Sequence, residues 1–462
     1  MRPDISPDAK RSRFLRLRAD DRIAAPINAP ESHSLYPTSM PLPSLHHPPE
    51  TVIAALAPEL RVMLDAATAS LKGVPFRPQA WMAGAGTGLA QDLDWSLLLT
   101  CVRHHRLDLL MTSLLDPEAD IPEHVRAALK QGERAATAVA LQRAGELARV
   151  ARCFSDAGID MLALKGPVLS AQIHGHPFRR VCSDLDLLVR PDDEGPARRL
   201  LLGLGYGGTD ADVLVCQNAV TLRHGRTGAL IDLHTRMGED ERLAPTRAFR
   251  PFETAVEVQL AGVRVRTPAL PASMAYAAYH GAHHRWFRLQ WLADIAAVTR
   301  RTDLDWAEVA EIARLAGTER HLALSLRLCR SLFGCEPAGI PPMFPRLPAR
   351  ARAGVLQAES VVPMALALPP LSEYDMVRRV GRFRILRAEL ALTQRRSAWL
   401  ARLRLRLQPT VTDRNFLRLP PALGFLYYAV RFIRVLWETG RAGLPHRPLQ
   451  HPDRRPGAHR GP

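Results

Sequence analysis

Leu164-Lys165-Gly166-Pro167 and, a little further on, Arg180-Val181-Cys182-Ser183-Asp184-Leu185-Asp186-Leu187-Leu188-Val189 decide the fold of this chain. Ile159 to Leu164 is a short apolar run after Gly158, which reads as a buried strand. Lys165-Gly166-Pro167 then turns the chain, Val168 to Ile173 makes a short helix, and Val181 to Val189 alternates as a second strand. On a strand, residues i and i+2 project to one face. Asp184 and Asp186 therefore point together, while Leu185 and Leu187 face the core. Two neighbouring carboxylates repel and are costly to desolvate unless a cation sits between them. A hard divalent ion such as Mg²⁺ (or Mn²⁺) takes such oxygen ligands and bridges to substrate phosphates.

Downstream, Asp192 to Leu204 returns as a helix with an acidic first turn. Val213 to Leu222 and Ala229 to Thr235 read as two more strands, with Gly225 to Gly228 as the hairpin between them. The order predicts an α+β fold, a small mixed-sheet core flanked by helical N- and C-terminal regions. A third carboxylate, Asp232, lies between apolar neighbours in Leu230-Ile231-Asp232-Leu233-His234. If its strand lies beside the first, Asp232 completes a triad, binding a second metal or taking the proton of an incoming hydroxyl. Lys165 and Arg180 are the natural counter-charges for phosphate, and Gly166 lets the backbone approach it. His234 shares a strand face with Asp232; it either contacts a phosphate or the acceptor, or caps the sheet edge. Cys182 reads as a small apolar packing residue.

The flanks read more simply. Residues 1–50 are a Pro-rich leader expected to be disordered, with Met40 an alternative start. Residues 51–139 form a helical N-terminal region, with helices near 51–72, 92–115 and 122–157, the last broken at Gly132. The core spans 140–240, a helical domain 241–335, a basic helical C-terminal region 336–440, and a disordered tail 441–462. His280, His283 and His284 cluster on one helix with Asp294 on the next. An i, i+4 His pair suits zinc, but no Glu stands between them as in HExxH, so packing around Trp286 and Trp291 and lining of the substrate cleft is the preferred account. His104 and His105 read as structural.

Composition narrows the class. The chain has 462 residues, too many for one small module, and six scattered cysteines with no paired metal or disulfide spacing. Neither a secretory h-region nor a run of roughly 18 apolar residues is present, so the protein reads as cytoplasmic. Net charge is +16, and residues 376–462 hold 19 arginines against four acids, or +15 of it. In that stretch Arg402, Arg404 and Arg406 alternate with leucines, and Arg431 and Arg434 interrupt an apolar run. An interfacial membrane helix and an RNA-binding surface both fit. A solvated basic face over internal helix packing fits better. Any partner there is an anionic surface, and no stable nucleic-acid partner is called for. Lysine is rare, at four residues, which draws attention to Lys165.

At these residues the chain resembles the widespread, largely uncharacterised bacterial nucleotidyltransferases of the polymerase-beta-like superfamily. Their mark is an LKG turn followed by R-x-x-x-D-x-D-L-L-V, here Leu164-Lys165-Gly166 and then Arg180, Asp184, Asp186, Leu187, Leu188 and Val189. The likeness continues through Asp232-Leu233-His234, through His280, His284, Trp286, Leu289, Trp291, Leu292 and Asp294, and near Leu419-Pro420 and Leu426-Tyr427-Tyr428, covering most of residues 80–440. It implies a nucleotidyltransferase core that uses Mg²⁺ and an NTP to modify an acceptor not identified by the sequence. In the wider superfamily a Gly-Ser or Gly-Gly pair on the phosphate turn comes closer to the carboxylates. Here Gly166 precedes Pro167 and lies 18 residues before Asp184, so the triphosphate cradle departs from the pattern. Two other readings stay open: a non-catalytic nucleotide-binding protein of the same fold, and an RNA- or membrane-binding protein acting through its basic region.

Overall fold

The computed structural model describes residues 56–76, 93–113, 115–117, 119, 121–207, 213–215, 219–337, 339–340, 342–366, 373–409 and 411–441. The expected leader, tail and alternative start lie outside the described residues. The helical front end comprises α1 (Pro58–Lys72), α2 (Trp95–His105), α3 (Asp108–Ser113) and α4 (Glu123–Asp156). The Asp94 side chain accepts from Leu97 N and caps α2. The helix expected over 92–115 is two helices. Arg106, at φ 58°, closes α2 in a left-handed cap, and Leu107 N bonds back to Val102 O. The break expected at Gly132 is absent, since α4 runs through it. A Cβ at Gly132 would stand 2.9 Å from Asp108 Oδ1, so the glycine lets α3 approach rather than ending the helix.

Five strands make one mixed sheet: β1 (Met161–Ala163), β2 (Asp184–Val189), β3 (Val213–Val215), β4 (Ala219–Arg223) and β5 (Leu230–His234), in the order β1-β2-β5-β4-β3. Pairing of β2 with β5 is parallel, with Asp186 opposite Asp232, and the other pairings are antiparallel. The single strand expected from Val213 to Leu222 is instead a hairpin, Val213 pairing with Leu222. Apolar parity explains it. Val213 and Val215 occupy odd positions and Val220 and Leu222 even ones, so a straight strand would send them to opposite faces. Between β1 and β2 lies α5 (Pro167–His174), and α6 (Glu194–Gly203) follows β2.

A second hairpin, β6 (Val256–Leu260) and β7 (Val263–Thr267), lies within residues 241–335, the segment expected to be a helical domain. Its two-residue turn, Ala261-Gly262, has both φ angles positive, at 48° and 77°, which matches strand twist. Leu260 and Val265 join the core under the sheet together with Leu185, Leu187, Ile231 and Leu233, against Leu147 and Phe154 of α4 and Leu201 of α6. Each such buried side chain contributes about 1.5–3 kcal/mol. On the other face Leu162 and Leu188 merge with a larger helical core. That core is built largely from α7 (Leu270–His283), α8 (Leu289–Thr299), α9 (Trp306–Ala316) and α10 (Glu319–Phe333).

The basic region continues through α11 (Ala349–Glu359), α12 (Glu373–Val380), α13 (Arg382–Leu392), α14 (Arg396–Leu407), α15 (Val411–Phe416) and α16 (Tyr427–Arg441). Arg384, Arg387, Arg395, Arg396, Arg404, Arg406, Arg414 and Arg418 are exposed, in keeping with the expected solvated basic face, and two arginines depart from it. Arg402 is 3% exposed and pairs with Glu239, while Arg434 is 4% exposed and donates to Asp413 Oδ1 at 2.6 Å. Phe432, Ile433 and Leu436 of α16 face outward instead. The acids Glu239 and Asp413 draw the Arg402 and Arg434 guanidinium groups inward. No helix among the described residues is long and apolar enough to cross a membrane.

Candidate active site

Alternation along β2 and β5 places Asp186 and Asp232 on the sheet face opposite the Leu185–Ile231 core. Because the strands are parallel and in register, residues 46 apart in sequence become direct neighbours. The LKG turn follows β1, the strand antiparallel to β2, and so returns Lys165 to this face. Its Nζ donates to Asp186 Oδ1 at 3.1 Å and lies 5.5 Å from the centre of the Tyr276 ring. His234, at the end of β5, places Nε2 3.2 Å from the same oxygen. An ionised Asp186 only accepts, so the proton of that contact belongs to the imidazole. Thr221 of β4, the register partner of Asp232, donates its hydroxyl to Asp232 Oδ1 at 2.6 Å.

The two central acids are driven apart electrostatically. Burial pushes the Asp186 carboxyl upward, but the Lys165 ammonium and the His234 hydrogen bond outweigh it and hold the group well below the usual carboxylate range. For Lys165, burial opposes the charge, and Asp186 overcomes it and raises the ammonium's pKa. Asp232 goes the other way. Burial raises it, the Thr221 hydrogen bond offsets part of this, and the charges of Asp186 and Asp184 raise it further. One acid is thus a fixed anion, and its neighbour binds a proton more readily.

Among the described residues, Asp186, Asp232 and His234 offer ligand atoms within 4.8 Å of one another. Asp184 stands at the rim of this group, its Oδ1 accepting from Ser183 Oγ at 2.9 Å. His234 Nδ1 is buried with no hydrogen-bond partner, so the ring retains one unmatched polar atom. The set that closes is therefore two carboxylates and one imidazole, with Asp184 outside it, and its oxygen ligands could hold a divalent cation.

Other expected residues are placed differently. Arg180 is 5% exposed, and its Nε donates to Asp294 Oδ2 at 2.8 Å, tying the chain before β2 to α8. Gly166 sits at φ 65° with Cys182 Sγ 2.9 Å from where a Cβ would be, so it serves a close approach to protein. Cys182 is buried, as expected. His280 stacks near His284 and Trp291, and His284 Nδ1 meets Glu373 at 3.0 Å. With Asp294 held by Arg180, these histidines do not assemble a zinc set. His280 does line a narrow cavity with Lys165, Tyr276, Trp291 and Asp294 beside the carboxylates. His105 accepts from Leu289 N at 3.2 Å, a structural role. Thr221 was legible from strand parity, lying between Val220 and Leu222, whereas Tyr276 carries no local signal.

A family model described as "Uncharacterised nucleotidyltransferase" matches residues 91–334, just over half of the chain and every residue of this site. No curated protein matches. Among solved structures, the crystal structure of an antigenic nucleotidyltransferase-like protein from Paracoccidioides brasiliensis is 16% identical, covering 42% of this chain and 94% of that one at a TM-score of 0.24. A superposition that loose carries no weight of its own.

Proposed function

Because the chain belongs to the family of uncharacterised nucleotidyltransferases, we propose that it transfers a nucleoside monophosphate from an NTP to a hydroxyl or phosphate of an acceptor. The observation that carries this reading is the in-register pair Asp186 and Asp232, flanked by Lys165 and His234. An acceptor oxygen forms a bond to the α-phosphorus, the bond to the β-phosphate oxygen breaks, and pyrophosphate leaves.

Asp184, Asp186 and Asp232 would hold the divalent ions, which supply neutralising charge at the attacking and leaving oxygens when bound. Asp186, fixed as an anion by Lys165 and His234, keeps its oxygens oriented toward the cleft. Asp232, in register with Asp186 on the neighbouring strand, would bind the second ion or take the proton of the incoming hydroxyl. Lys165 holds Asp186 as an anion, and Tyr276 and His280 wall the cleft. Arg180 acts at one remove, fixing the β2 entrance to α8 through Asp294.

The deciding experiment is calorimetric titration with ATP, GTP, CTP and UTP, with and without Mg²⁺ or Mn²⁺, on the natural protein and on Asp186→Asn and Asp184→Asn. Metal-dependent binding of at least one NTP, lost in Asp186→Asn, is expected. Undiminished metal-dependent binding in a folded Asp186→Asn protein would overturn the assignment.

A further inference from the structure

The turn that should cradle a triphosphate is closed. Gly166 packs on Cys182, and the first turn of α5, Pro167 to Ser170, is buried. Pro167 has no N–H to offer, so this helix start makes a poor anion site. Lys165 is bonded to Asp186 and Arg180 to Asp294. A polyanionic tail needs cations from elsewhere.

They stand at the entrance to β2, on three separate helical segments. Arg106, the left-handed cap of α2, donates Nη2 to Ser183 Oγ at 2.7 Å. Arg143 of α4 donates Nε to Ser183 O at 3.1 Å, and its Nη1 is buried with no partner. Arg288, just before α8, donates Nη1 to His104 O at 3.1 Å, against the last turn of α2. All three are half-buried, and none is ion-paired among the described residues. Arg288 feels the crowding: burial first, and then the Arg106 charge, bring its guanidinium down to about 10. Ser183 Oγ passes the contact on to Asp184 Oδ1, joining the arginines to the carboxylates. Asp184 and Glu373 offset the repulsion between Arg106 and Arg288 only in part, so a half-dry guanidinium here favours a further anion.

We infer that Arg106, Arg143 and Arg288 form an oligophosphate-binding pocket that takes the β- and γ-phosphates of the nucleotide at the Asp184 end of the site. The inference rests on the nucleotidyl-transfer reading for which phosphates are bound, but the pocket itself is testable without metal or acceptor. The chemistry of an anionic acceptor would be similar, so the probes must separate the two sources.

The test is titration of the full chain with inorganic triphosphate, pyrophosphate and monophosphate in chelator, and with NTP in Mg²⁺. Variants are Arg106→Gly, Arg143→Gln, Arg288→Gln and Asp186→Asn. Metal-free triphosphate binding is expected to fall about tenfold or more in each arginine variant and to persist in Asp186→Asn. NTP affinity should fall in parallel in the arginine variants.

Arg106→Gly supplies a readout that a purely structural arginine would not give. Glycine suits the left-handed cap and relieves like-charge crowding, so the melting temperature should hold or rise while anion binding weakens. A lower melting temperature with unchanged triphosphate affinity would overturn the pocket. Failure of the natural protein to bind triphosphate would do so too. Weakening confined to monophosphate, with NTP untouched, would overturn its assignment to the donor. If NTP binding proves independent of metal while triphosphate still needs the arginines, the nucleotidyl-transfer reading fails and the pocket stands.

Discussion

The cleft on the sheet and the C-terminal helical layer both take carboxylates out of water, but they balance the charge differently. In the layer, Glu389 meets Arg285 and Arg406, Asp413 meets Arg431 and Arg434, and Glu373 meets Arg285 and His284. Bases match or outnumber acids, and those charges are satisfied within the fold. In the cleft, Asp186 alone bonds an ammonium, that of Lys165, while Asp184 and Asp232 accept from the hydroxyls of Ser183 and Thr221. Residue type does not separate the two regions, since both contain acids between apolar neighbours. Local neutrality does: a charge cluster complete in itself holds structure together, and one left incomplete waits for a ligand.

Substitutions can break that contrast, and the largest effect belongs in the cleft. Asp186→Asn should lower metal-dependent transfer by about 10²–10³-fold or more. Its stability should change little, because Asp184 still acts on Lys165 and one carboxylate of a like-charged cluster is removed. Turnover and thermal melting measured together check both halves. If melting collapses as activity does, Asp186 is as structural as the acids of the layer.

Glu389→Gln is the mirror experiment. It leaves Arg285, 7% exposed at its side chain, with only the part-exposed Glu373 and frees Arg406, and should cost about 2 kcal/mol by chemical denaturation. The folded fraction should bind NTP with metal as before. A selective loss of nucleotide binding would put this acid on the side of the cleft.

A comparable effect sharpens the boundary between the two regions. Asp294→Asn keeps an acceptor for Arg180 but removes its charge, so about 2 kcal/mol of stability should go. NTP affinity should move by less than the arginine variants of the oligophosphate pocket move it. A larger drop in affinity than in stability would return Arg180 to direct phosphate contact.

The smallest effect is in acid. Burial pushes the Glu373 carboxyl up, but His284 and Arg285 outweigh it and hold it down to about 2. A depressed acid stabilises the fold above its unfolded pKa of about 4.3, and that contribution is lost as pH falls toward 2. At 36% side-chain exposure, solvent screening keeps it modest. Glu373→Gln should flatten this part of the stability–pH curve, and an unaltered slope would show that the pair contributes nothing.

What the sequence discloses follows from how local each cause is. Strand parity is local, so the outward Asp184–Asp186 pair, the inward leucines and the strand with Asp232 were all legible, as was the α+β arrangement. The Ala261-Gly262 hairpin escaped because Ala-Gly is a weaker turn signal than Asn-Gly. Gly132 was read as a helix break because only the distant Asp108 shows it to be a point of close approach. Arg180 was matched with phosphate because its partner, Asp294, lies 114 residues away. Arg106, Arg143 and Arg288 had no local mark at all; three helices must pack before they share a neighbourhood.

The parallel pairing of β2 with β5 also bears on how the chain reaches its folded state. Antiparallel β4 and β5 close through a short turn and form early, whereas β2 meets β5 only after a long loop has been drawn in. Asp186 and Asp232 are strangers until that last docking step. Contact order therefore puts the meeting of Asp186 and Asp232 after closure of the β4–β5 hairpin, and once made it sits between two interior strands of the sheet.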